Sequence, residues 1–277
     1  MRNEIVVGLD GSAASRDALV WATAAAERWR GTVVAVHAWI PVTLAAGAGG
    51  GALPMMIEHP DHARTVIAEQ VALVRTRVAE SVAIDERIVA ESPTIALLAQ
   101  ARDARMLVVG TGRKGRFGRL VLGTTSEACA HDATCPVVVV PGLPDRPIVR
   151  TIVVGVDDSP NSHQALAWAV EEAARDGALV EAFAVVPPTG GDVTMALADV
   201  RERLDHVARP FRHPARVELL TQAVLGDPAG MLCTLAHDAD LLVVGRRGRG
   251  HVAGLLLGSV ADDCVRHAPC PVAVIPA

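Results

Sequence analysis

Short apolar runs alternate with longer stretches of helical periodicity along the whole chain. In the first half the runs IVVGL, TVVAV, MLVVG and PVVVV are almost continuously apolar, as is typical of strands that are covered on both faces. Between these runs the apolar residues recur every three or four positions, which predicts helices. Strands that are separated by helix-length segments imply right-handed crossovers, so the pattern predicts parallel sheets.

The predicted elements follow the same order in both halves. The first half is predicted to hold strands at 4–9, 32–39, 84–90, 106–110 and 136–140, with helices near 13–29, 60–82, 94–104 and 124–132. The second half is predicted to hold strands near 151–156, 178–186, 215–224, 241–245 and 271–275. The fold class is therefore α/β, with a doubly wound parallel sheet in each half.

The similarity of the two halves is visible as an internal repeat. Residues 5–21 and 152–168 are identical at ten of 17 positions, and residues 107–141 and 242–276 at 15 of 35. The two offsets, 147 and 135, differ by 12 residues, and the Gly- and Ala-rich stretch 44–53 is the expected surplus. We therefore predict two domains, 1–142 and 148–277, joined by the short Pro-rich linker 141–147.

Composition and charge exclude several functional classes. The chain has 277 residues and a net charge of −5, which gives no overall attraction to nucleic acid. The stretch 31–57 carries no charged side chain, but its prolines and glycines would break a membrane-spanning helix. The first residues leave no room for a signal peptide, and five cysteines are too few for a disulfide-stapled scaffold. We therefore expect a cytoplasmic protein with reduced thiols and without nucleic-acid or membrane partners.

Polar residues gather at the ends of the first predicted strand of each half, where open parallel sheets bind ligands. These ends read GLDGS, from Gly8 to Ser12, and GVDDS, from Gly155 to Ser159. Asp10 and Asp157 could accept hydrogen bonds from a ligand or hold a metal beside phosphates, or they could form turns before the next helix. Ser12 and Ser159 are predicted to cap those helices.

The fourth strand of the second half leads into a glycine-rich turn. Gly245 ends the strand, Gly248 follows, and nine residues later Gly258-Ser259 opens an apolar-periodic helix. Glycines let backbone N–H groups approach a ligand, and a helix N-terminus presents free donors and positive dipole to an anion. Three arginines add positive charge: Arg246, Arg247 and Arg249. Tight packing of strand on helix is the alternative, but the combination favours a site for a di- or triphosphate.

The spacing Gly-x2-Gly-x9-Gly-Ser resembles the ATP-binding signature of the universal stress protein family. The strand-end Asp followed by Ser, the segment DLLVVG at 240–245, GDP at 226–228 and the closing CPVAVIP fit as well. The resemblance covers nearly the whole chain, once in each half. The chain most resembles the tandem two-domain members of the family from actinobacteria. It implies a five-stranded, Rossmann-like parallel sheet with helices on both faces in each domain. Many members of the family bind ATP at the strand ends, and others bind none.

Matched residue by residue, the resemblance implies a nucleotide site in each domain. In the second domain it implies contacts from Gly155, Asp157, Val185, Val244, Gly245, Gly248, Gly258, Ser259 and Val260. In the first domain it implies contacts from Gly8, Asp10, Ala38, Val109, Gly110, Gly123, Thr124 and Thr125. Arg113 stands there in place of the second signature glycine, and it could clash with the phosphates or grip them.

The resemblance implies an ATP-binding regulator of the stress response and of growth, which holds its nucleotide without efficient turnover. No catalytic residue is predicted, and Mg²⁺ is a candidate companion of the phosphates at Asp10 and Asp157. Two alternatives stay open, namely slow ATP hydrolysis or nucleotidyl transfer on the same fold, and a nucleotide-free interaction scaffold. The tandem chain is expected to form an internal pseudo-dimer, and a homodimer and a regulatory protein partner stay open.

Two cysteine pairs recur at equivalent positions, Cys129/Cys135 and Cys264/Cys270. The Cys-x5-Cys spacing is not a usual zinc pattern, so no metal site is predicted there. Buried, inert thiols are the expected interpretation, with redox sensing as the alternative.

Overall fold

The computed structural model describes residues 3–40, 60–77, 81–111, 122–142, 149–188, 193–211, 217–248 and 257–277. Within these ranges the strands are β1 (Glu4–Gly8), β2 (Thr32–Trp39), β3 (Ile84–Ala90), β4 (Met106–Gly110), β5 (Val137–Val140), β6 (Thr151–Gly155), β7 (Leu179–Val186), β8 (Glu218–Leu225), β9 (Leu241–Gly245) and β10 (Val272–Ile275). The helices are α1 (Ala13–Trp29), α2 (Pro60–Arg75), α3 (Pro93–Ala101), α4 (Thr124–Asp132), α5 (Pro160–Asp176), α6 (Val193–Ala208), α7 (Pro228–Leu235) and α8 (Ser259–His267). Of the helices just named, none combines the length and the apolar character that a membrane span needs.

The predicted α/β class and the order of elements are confirmed. The largest difference concerns α2, which was predicted over 60–82 and ends at Arg75. At the end of the helix the Arg75 guanidinium donates to the carbonyl of Val82 at 2.8 Å. The surplus stretch 44–53, most of the linker 141–147 and the loop that carries Arg113 lie outside the described residues.

The described strands lie in one sheet with the order β3-β2-β1-β4-β5-β10-β9-β6-β7-β8. Each half is parallel and five-stranded, as predicted, with the order reversal beside β1 and β6. The halves are not separate sheets, however, because β5 and β10 pair antiparallel, with Val139 opposite Val272. The strand pattern of either half alone carries no information about this pairing. It leaves β3 and β8 as the outer strands.

Helices cover both faces of the sheet. Successive strand residues point to opposite faces, so Ile5 and Val7 pack with α1 and α2, whereas Val6 packs with α3 and α4. The second half repeats this division with α5 and α6 on one face and α7 and α8 on the other. The equivalent residues Trp21 and Trp168 both lie in the core.

The helices that follow β1 and β6 begin with the predicted serine caps. The hydroxyl oxygen of Ser12 accepts from the N–H of Ser15 at 3.1 Å, and that of Ser159 accepts from the N–H of Ser162 at 3.2 Å. Each cap satisfies one N–H group that the first turn of a helix leaves without a partner. The caps fix the direction in which α1 and α5 leave the strand ends.

Candidate functional site

A cavity of about 560 Å³ opens at the carboxyl ends of β6, β7 and β9. Its volume falls within the range of small-molecule sites, roughly 300–1,000 Å³. The helices α6, α7 and α8 form its other walls. All the residues predicted for the second domain line it: Gly155, Asp157, Val185, Val244, Gly245, Gly248, Gly258, Ser259 and Val260. The structure thus brings these residues together, and their roles toward a nucleotide remain predictions.

One end of the cavity presents a bare strand edge, because β7 runs past the end of β6. The N–H of Val156 donates to the carbonyl of Phe183 at 2.8 Å, and on the other side of β7 the carbonyl of Val186 accepts from Gly226 at 2.9 Å. Since the backbone groups of successive strand residues point to opposite sides, Val185 faces the same side as Phe183. β6 has ended at that level. The N–H and C=O of Val185 therefore face the cavity as an adjacent donor and acceptor.

Apolar side chains flank this strand edge. They come from β7, α6 and α7 and comprise Phe183, Val200, Leu204, Val207 and Leu232. Such walls, with one polar edge between them, suit a flat ring that carries hydrogen-bonding groups on its rim.

Asp157 lies between this apolar end and the glycine-rich turn. Its Oδ1 accepts from the N–H of Ser159 at 3.1 Å and from the hydroxyl of Ser159 at 2.6 Å, so the turn-forming interpretation is correct for this oxygen. Its Oδ2 lies against Gly248, where an added Cβ would clash with it. The carboxylate therefore serves the turn with one oxygen and contributes the other to the cavity wall.

The two glycines of the turn are required for different reasons. A Cβ on Gly245 would lie 3.0 Å from Oδ1 of Asn161, so this glycine allows β9 to pack closely on the start of α5. The packing interpretation therefore applies to Gly245. A Cβ on Gly248 would instead meet the Asp157 carboxylate inside the cavity. Gly248 thus keeps the cavity wall open at the level of Asp157.

The N-terminus of α8 closes the far end of the cavity. Gly258 is the N-cap, and it offers no side chain to the first turn. The first residues of the helix, Ser259, Val260 and Ala261, line the cavity. Since the first N–H groups of a helix have no partner within the helix, this end supplies donors and positive dipole. It is suited to an anionic group.

The neighbouring arginines of the turn have different surroundings. Arg247 lines the cavity, whereas Arg246 does not; the Nε atoms of both are buried without a hydrogen-bond partner among the described residues. Arg246 points away, and its Nη1 donates to the carbonyls of His131 at 3.1 Å and Ala133 at 2.9 Å, at the end of α4 in the first half. The expectation that Arg246 supplies charge to a phosphate is therefore wrong. Arg249, the third arginine of this segment, lies outside the described residues.

Asn161 positions the turn, and the sequence analysis missed it. Its Oδ1 accepts from the N–H of Arg247 at 2.9 Å, and its Nδ2 donates to the carbonyls of Ile275 at 3.1 Å and Pro276 at 3.0 Å. The side chain is buried, so these bonds are shielded from water. The repeat contained a signal for this role, because a polar Asn161 in the second half stands where the otherwise similar first half has the apolar Ala14.

The rim of the cavity carries an ion pair. Asp158 has the left-handed backbone angle φ of 68°, which its counterpart Gly11 also adopts at 85°. The Asp158 carboxylate lies 3.8 Å from Nε of Arg203 on α6 and 3.7 Å from Nε2 of His163. Arg203 therefore spans the mouth between α6 and the β6–α5 turn.

The first half holds its strand-end carboxylate in the same way. The N–H of Ser12 donates to Oδ1 of Asp10 at 2.9 Å. Burial opposes ionisation of Asp10, but hydrogen bonds from Ser12 and Ser15 outweigh it, so the pKa of the carboxyl lies below its ordinary value. Asp10 is therefore held as a carboxylate, with Oδ1 in the turn.

The predicted residues of the first half that are described lie at equivalent places. The carbonyl of Val36 accepts from the N–H of Leu9 at 2.8 Å. Ala38 lies two residues after Val36 on β2, so its backbone groups face the same side, toward the end of β1. Gly8 ends β1, Gly110 ends β4, Gly123 is the N-cap of α4, and Thr124 and Thr125 open that helix, with Val109 next to Gly110. Arg113 lies outside the described residues.

The helix that faces this first-half site is arranged differently. Gln70 is the eleventh residue of α2, as Arg203 is of α6, and it is 3% exposed. The hydroxyl of Ser15 donates to Oε1 of Gln70 at 3.1 Å, and Nε2 of Gln70 donates to the carbonyl of Ser12 at 3.4 Å. Gln70 thereby ties α2 to the β1–α1 turn, whereas Arg203 leaves the corresponding space in the second half as a mouth.

Neither a metal cluster nor a disulfide occurs among the described residues. No group of three or more His, Cys, Asp or Glu side chains is placed there to hold a metal ion. All five cysteines are free. Burial raises the pKa of Cys129 to about 12 and that of Cys135 to about 11, so both thiols stay protonated at neutral pH.

Two segments of the chain, residues 1–141 and 149–276, each match the family model described as the universal stress protein family. The chain belongs to this family. A universal stress protein of Mycolicibacterium smegmatis is 32% identical over 286 residues, which cover 98% of this chain and 96% of that protein. Universal stress protein Rv2623 of Mycobacterium tuberculosis is 31% identical over 293 residues, with coverage of 98% and 95%.

The fold of this tandem universal stress protein is similar to solved structures of the family. A universal stress protein of Archaeoglobus fulgidus superposes with a TM-score of 0.70 at 19% identity and covers 100% of this chain and 99% of that one. At this identity the likeness concerns the fold alone. The predicted membership in the family is confirmed by the two matched segments and by the mycobacterial relatives.

Proposed function

We propose that this universal stress protein binds ATP in its second domain and acts as a nucleotide-dependent regulator. The observation that carries the proposal is a single cavity with three features in order: a strand edge at Val185, the carboxylate of Asp157, and the N–H donors at the start of α8. A purine, a ribose and a phosphate chain require these features in the same order. The Asp157 carboxylate would accept from ribose hydroxyls.

The strand edge supports adenine as the base. Adenine carries an amino donor beside a ring-nitrogen acceptor on its pairing edge, and the C=O and N–H of Val185 complement this pair. Guanine presents the opposite arrangement, with a carbonyl acceptor beside an N–H donor. We therefore expect GTP to bind at least about tenfold more weakly than ATP, because a mismatched pair of buried polar groups costs more than 1.4 kcal/mol.

The far end supports a phosphate chain. Arg247 presents a buried Nε without a partner among the described residues, and α8 presents its first-turn N–H groups beside it. Buried donors of this kind are costly unless an acceptor arrives. Phosphate oxygens would satisfy both, and the helix dipole would add to the attraction.

The same groups support nucleotide holding over turnover. Backbone N–H groups and an arginine bind negative charge, but they do not take up a proton from an attacking water. Mg²⁺ would be held by the phosphates with Asp157 or Asp158 at their side, since magnesium prefers carboxylate and phosphate oxygens. The regulatory signal would then be the occupancy of the site.

We propose one tightly bound nucleotide per chain. In the first domain, the hydrogen bonds of Gln70 to Ser12 and Ser15 hold α2 against the β1–α1 turn. In the second domain, Arg203 stands at the equivalent position of α6 and lines the open cavity. The proposal retains the domain boundaries 1–142 and 148–277. A reducing, cytoplasmic setting is supported by the five free cysteines.

Nucleotide carried through purification tests the proposal directly. The protein is denatured, and the released nucleotide is identified by chromatography and compared with the amount of chain. About one ATP per chain is expected, and calorimetry with ATP, GTP and adenosine on the stripped protein should rank ATP first. Chain that releases nothing and binds none of the three would overturn the proposal in favour of a nucleotide-free scaffold. Hydrolysis at ordinary enzyme rates, ~1–10³ per second, would make the protein an enzyme instead.

A further inference from the structure

Two cysteines lie on α7 and α8, the helices that also supply Leu232 and Ala261 to the cavity lining. Cys233 lies on α7 and Cys264 on α8, and the two helices pack on the same face of the sheet. Cys233 packs against the buried apolar cluster that contains Cys264, and the interaction between the two thiols shifts the pKa of both. The sequence spacing had paired Cys264 with Cys270, so the structure selects a different partner, 31 positions earlier in the chain.

The two thiols differ in access and in acidity. Cys264 is fully buried, whereas Cys233 is partly exposed. The hydrogen bond from Cys264 lowers the pKa of Cys233, and the loss of that bond together with burial raises the pKa of Cys264 far above its ordinary value. Because it is the exposed member of the pair, Cys233 is the thiol that meets a reagent from solution, and the buried Cys264 is placed to resolve the product.

The first domain lacks this arrangement although it shares the fold. Cys129 occupies the position of Cys264 on α4, but the position of Cys233 on α3 is taken by Leu98. Cys129 is buried, and burial raises its pKa to about 12. The repeat thus provides a buried thiol in the same structural setting without an exposed thiol on the facing helix.

We propose that Cys233 and Cys264 form a disulfide when a peroxide oxidises the protein, and that this bond clamps α7 to α8. The Cys233 thiolate attacks one peroxide oxygen, so that an S–O bond forms, the O–O bond breaks, and water leaves after protonation. The Cys264 thiol then attacks the sulfenic sulfur, the S–S bond forms, and a second water leaves. Two thiols and one hydrogen peroxide thus give one disulfide and two waters.

The clamp would act on the site described above, and this part of the inference rests on the proposed function. Leu232 and Ala261, close neighbours of the two cysteines in the chain, line the cavity. A disulfide holds its sulfurs about 2.05 Å apart, which is much closer than two hydrogen-bonded thiols, so α7 and α8 must approach each other. The start of α8 would then shift relative to Gly248, and we expect the dissociation constant for ATP to rise about tenfold.

The test is oxidation of the full chain with hydrogen peroxide, followed by alkylation of free thiols and mass spectrometry without reduction. Free thiols should fall from five to three. A cross-linked peptide should join α7 to α8, and thioredoxin or dithiothreitol should reverse the link. The variants Cys233→Ala and Cys264→Ala should each abolish the cross-link, and Cys129→Ala is the matched control that should retain it.

Other products would overturn the disulfide assignment. These are a link between Cys264 and Cys270, sulfinic acid on Cys233 without any link, and five thiols that survive oxidation. Because this readout contains no nucleotide, it stands or fails apart from the proposed function. ATP affinity is then compared between reduced and oxidised protein, with Cys233→Ala as the control that should not respond. Equal affinities in a fully cross-linked protein that does bind ATP would overturn the coupling to the site.

Discussion

The indole N–H of Trp29 donates to both carboxylate oxygens of Glu172, at 2.9 and 3.0 Å, across the boundary between the two domains. Trp29 ends α1 of the first domain, and Glu172 lies buried on α5 of the second. The guanidinium groups of Arg105 and Arg175 stack on the same indole ring, Arg175 at 3.9 Å from its centre. The domain interface is therefore built around a buried carboxylate that contributes differently at different pH.

Replacement of Glu172 by Gln should change the pH dependence of stability. Burial raises the pKa of Glu172, although the hydrogen bond from Trp29 and the charges of Arg28 and Arg105 oppose the shift. When the pKa of a group is higher in the folded protein than in the unfolded chain, the group stabilises the folded state at pH values below its pKa in the unfolded chain. This stabilisation is lost as the pH rises through the pKa of the group in the folded protein. E172Q should therefore exceed wild type in the free energy of unfolding at about pH 7, by on the order of 1 kcal/mol, and match it at about pH 4.

Urea unfolding at several pH values, followed by tryptophan fluorescence, measures this difference. Glu171 provides the control, because it lies next to Glu172 but is half exposed and pairs with Arg105 at 2.8 Å. E171Q should stay closer to the pH profile of wild type than E172Q does, because the charge of Glu171 makes only the smallest contribution to the pKa of Glu172. Parallel profiles for E172Q and wild type would contradict the assigned role of Glu172.

Gly248→Asp should abolish ATP binding in the second domain. The new side chain would meet the Asp157 carboxylate and place negative charge where the phosphates are proposed to lie. Two adjacent carboxylates and a phosphate chain repel one another strongly in a partly buried site. Calorimetry should show at least about a hundredfold loss of affinity.

Gly177→Asp is the matched control for this change. Nothing lies within 4 Å of a Cβ on Gly177, which ends α5 away from the cavity, and Asp tolerates the left-handed backbone found there. This variant should bind ATP as wild type does. Retained affinity in Gly248→Asp, with the fold intact by circular dichroism, would refute the proposed position of the phosphates.

Arg247→Ala should weaken ATP binding but leave adenosine binding unchanged. Arg247 lines the cavity and lies beside Gly258 at the start of α8, where the phosphates are proposed to bind, whereas the base is proposed to bind at Val185. A lost charge-assisted hydrogen bond costs about 1.5–3 kcal/mol, so the affinity for ATP should fall roughly tenfold to a hundredfold. Equal losses for ATP and adenosine would show that the side chain shapes the whole cavity and does not recognise phosphate.

Arg246→Ala should have the opposite signature, with lower stability and a smaller effect on ATP. It removes two hydrogen bonds to the last carbonyls of α4, where positive charge is favourable. Thermal or urea unfolding should show a loss of about 1–3 kcal/mol. A variant as stable as wild type would mean that water replaces these bonds without cost.

The sequence predicted most of the fold, and it selected second-domain residues that line one cavity, because both depend on local patterns. The apolar runs marked the strands, and the repeat located the glycines and Asp157 at equivalent strand ends. The sequence could not distinguish the functions of Arg246 and Arg247. The partners of Arg246 lie at the end of α4 in the other half of the chain, and only the pairing of β5 with β10 brings that half close. Asn161 and the Cys233–Cys264 contact were missed for a related reason. Each involves residues far apart in the chain that helix packing brings together.

The antiparallel pairing of β5 with β10 has a consequence for assembly in dilute solution. In two separate single-domain chains such a contact would follow mass action and dissociate as the concentration falls. Here both strands belong to one chain, so their effective concentration is set by the tether and does not change on dilution. The edges of β5 and β10 are thereby occupied, so that, within the described sheet, only β3 and β8 offer a free edge to a second copy.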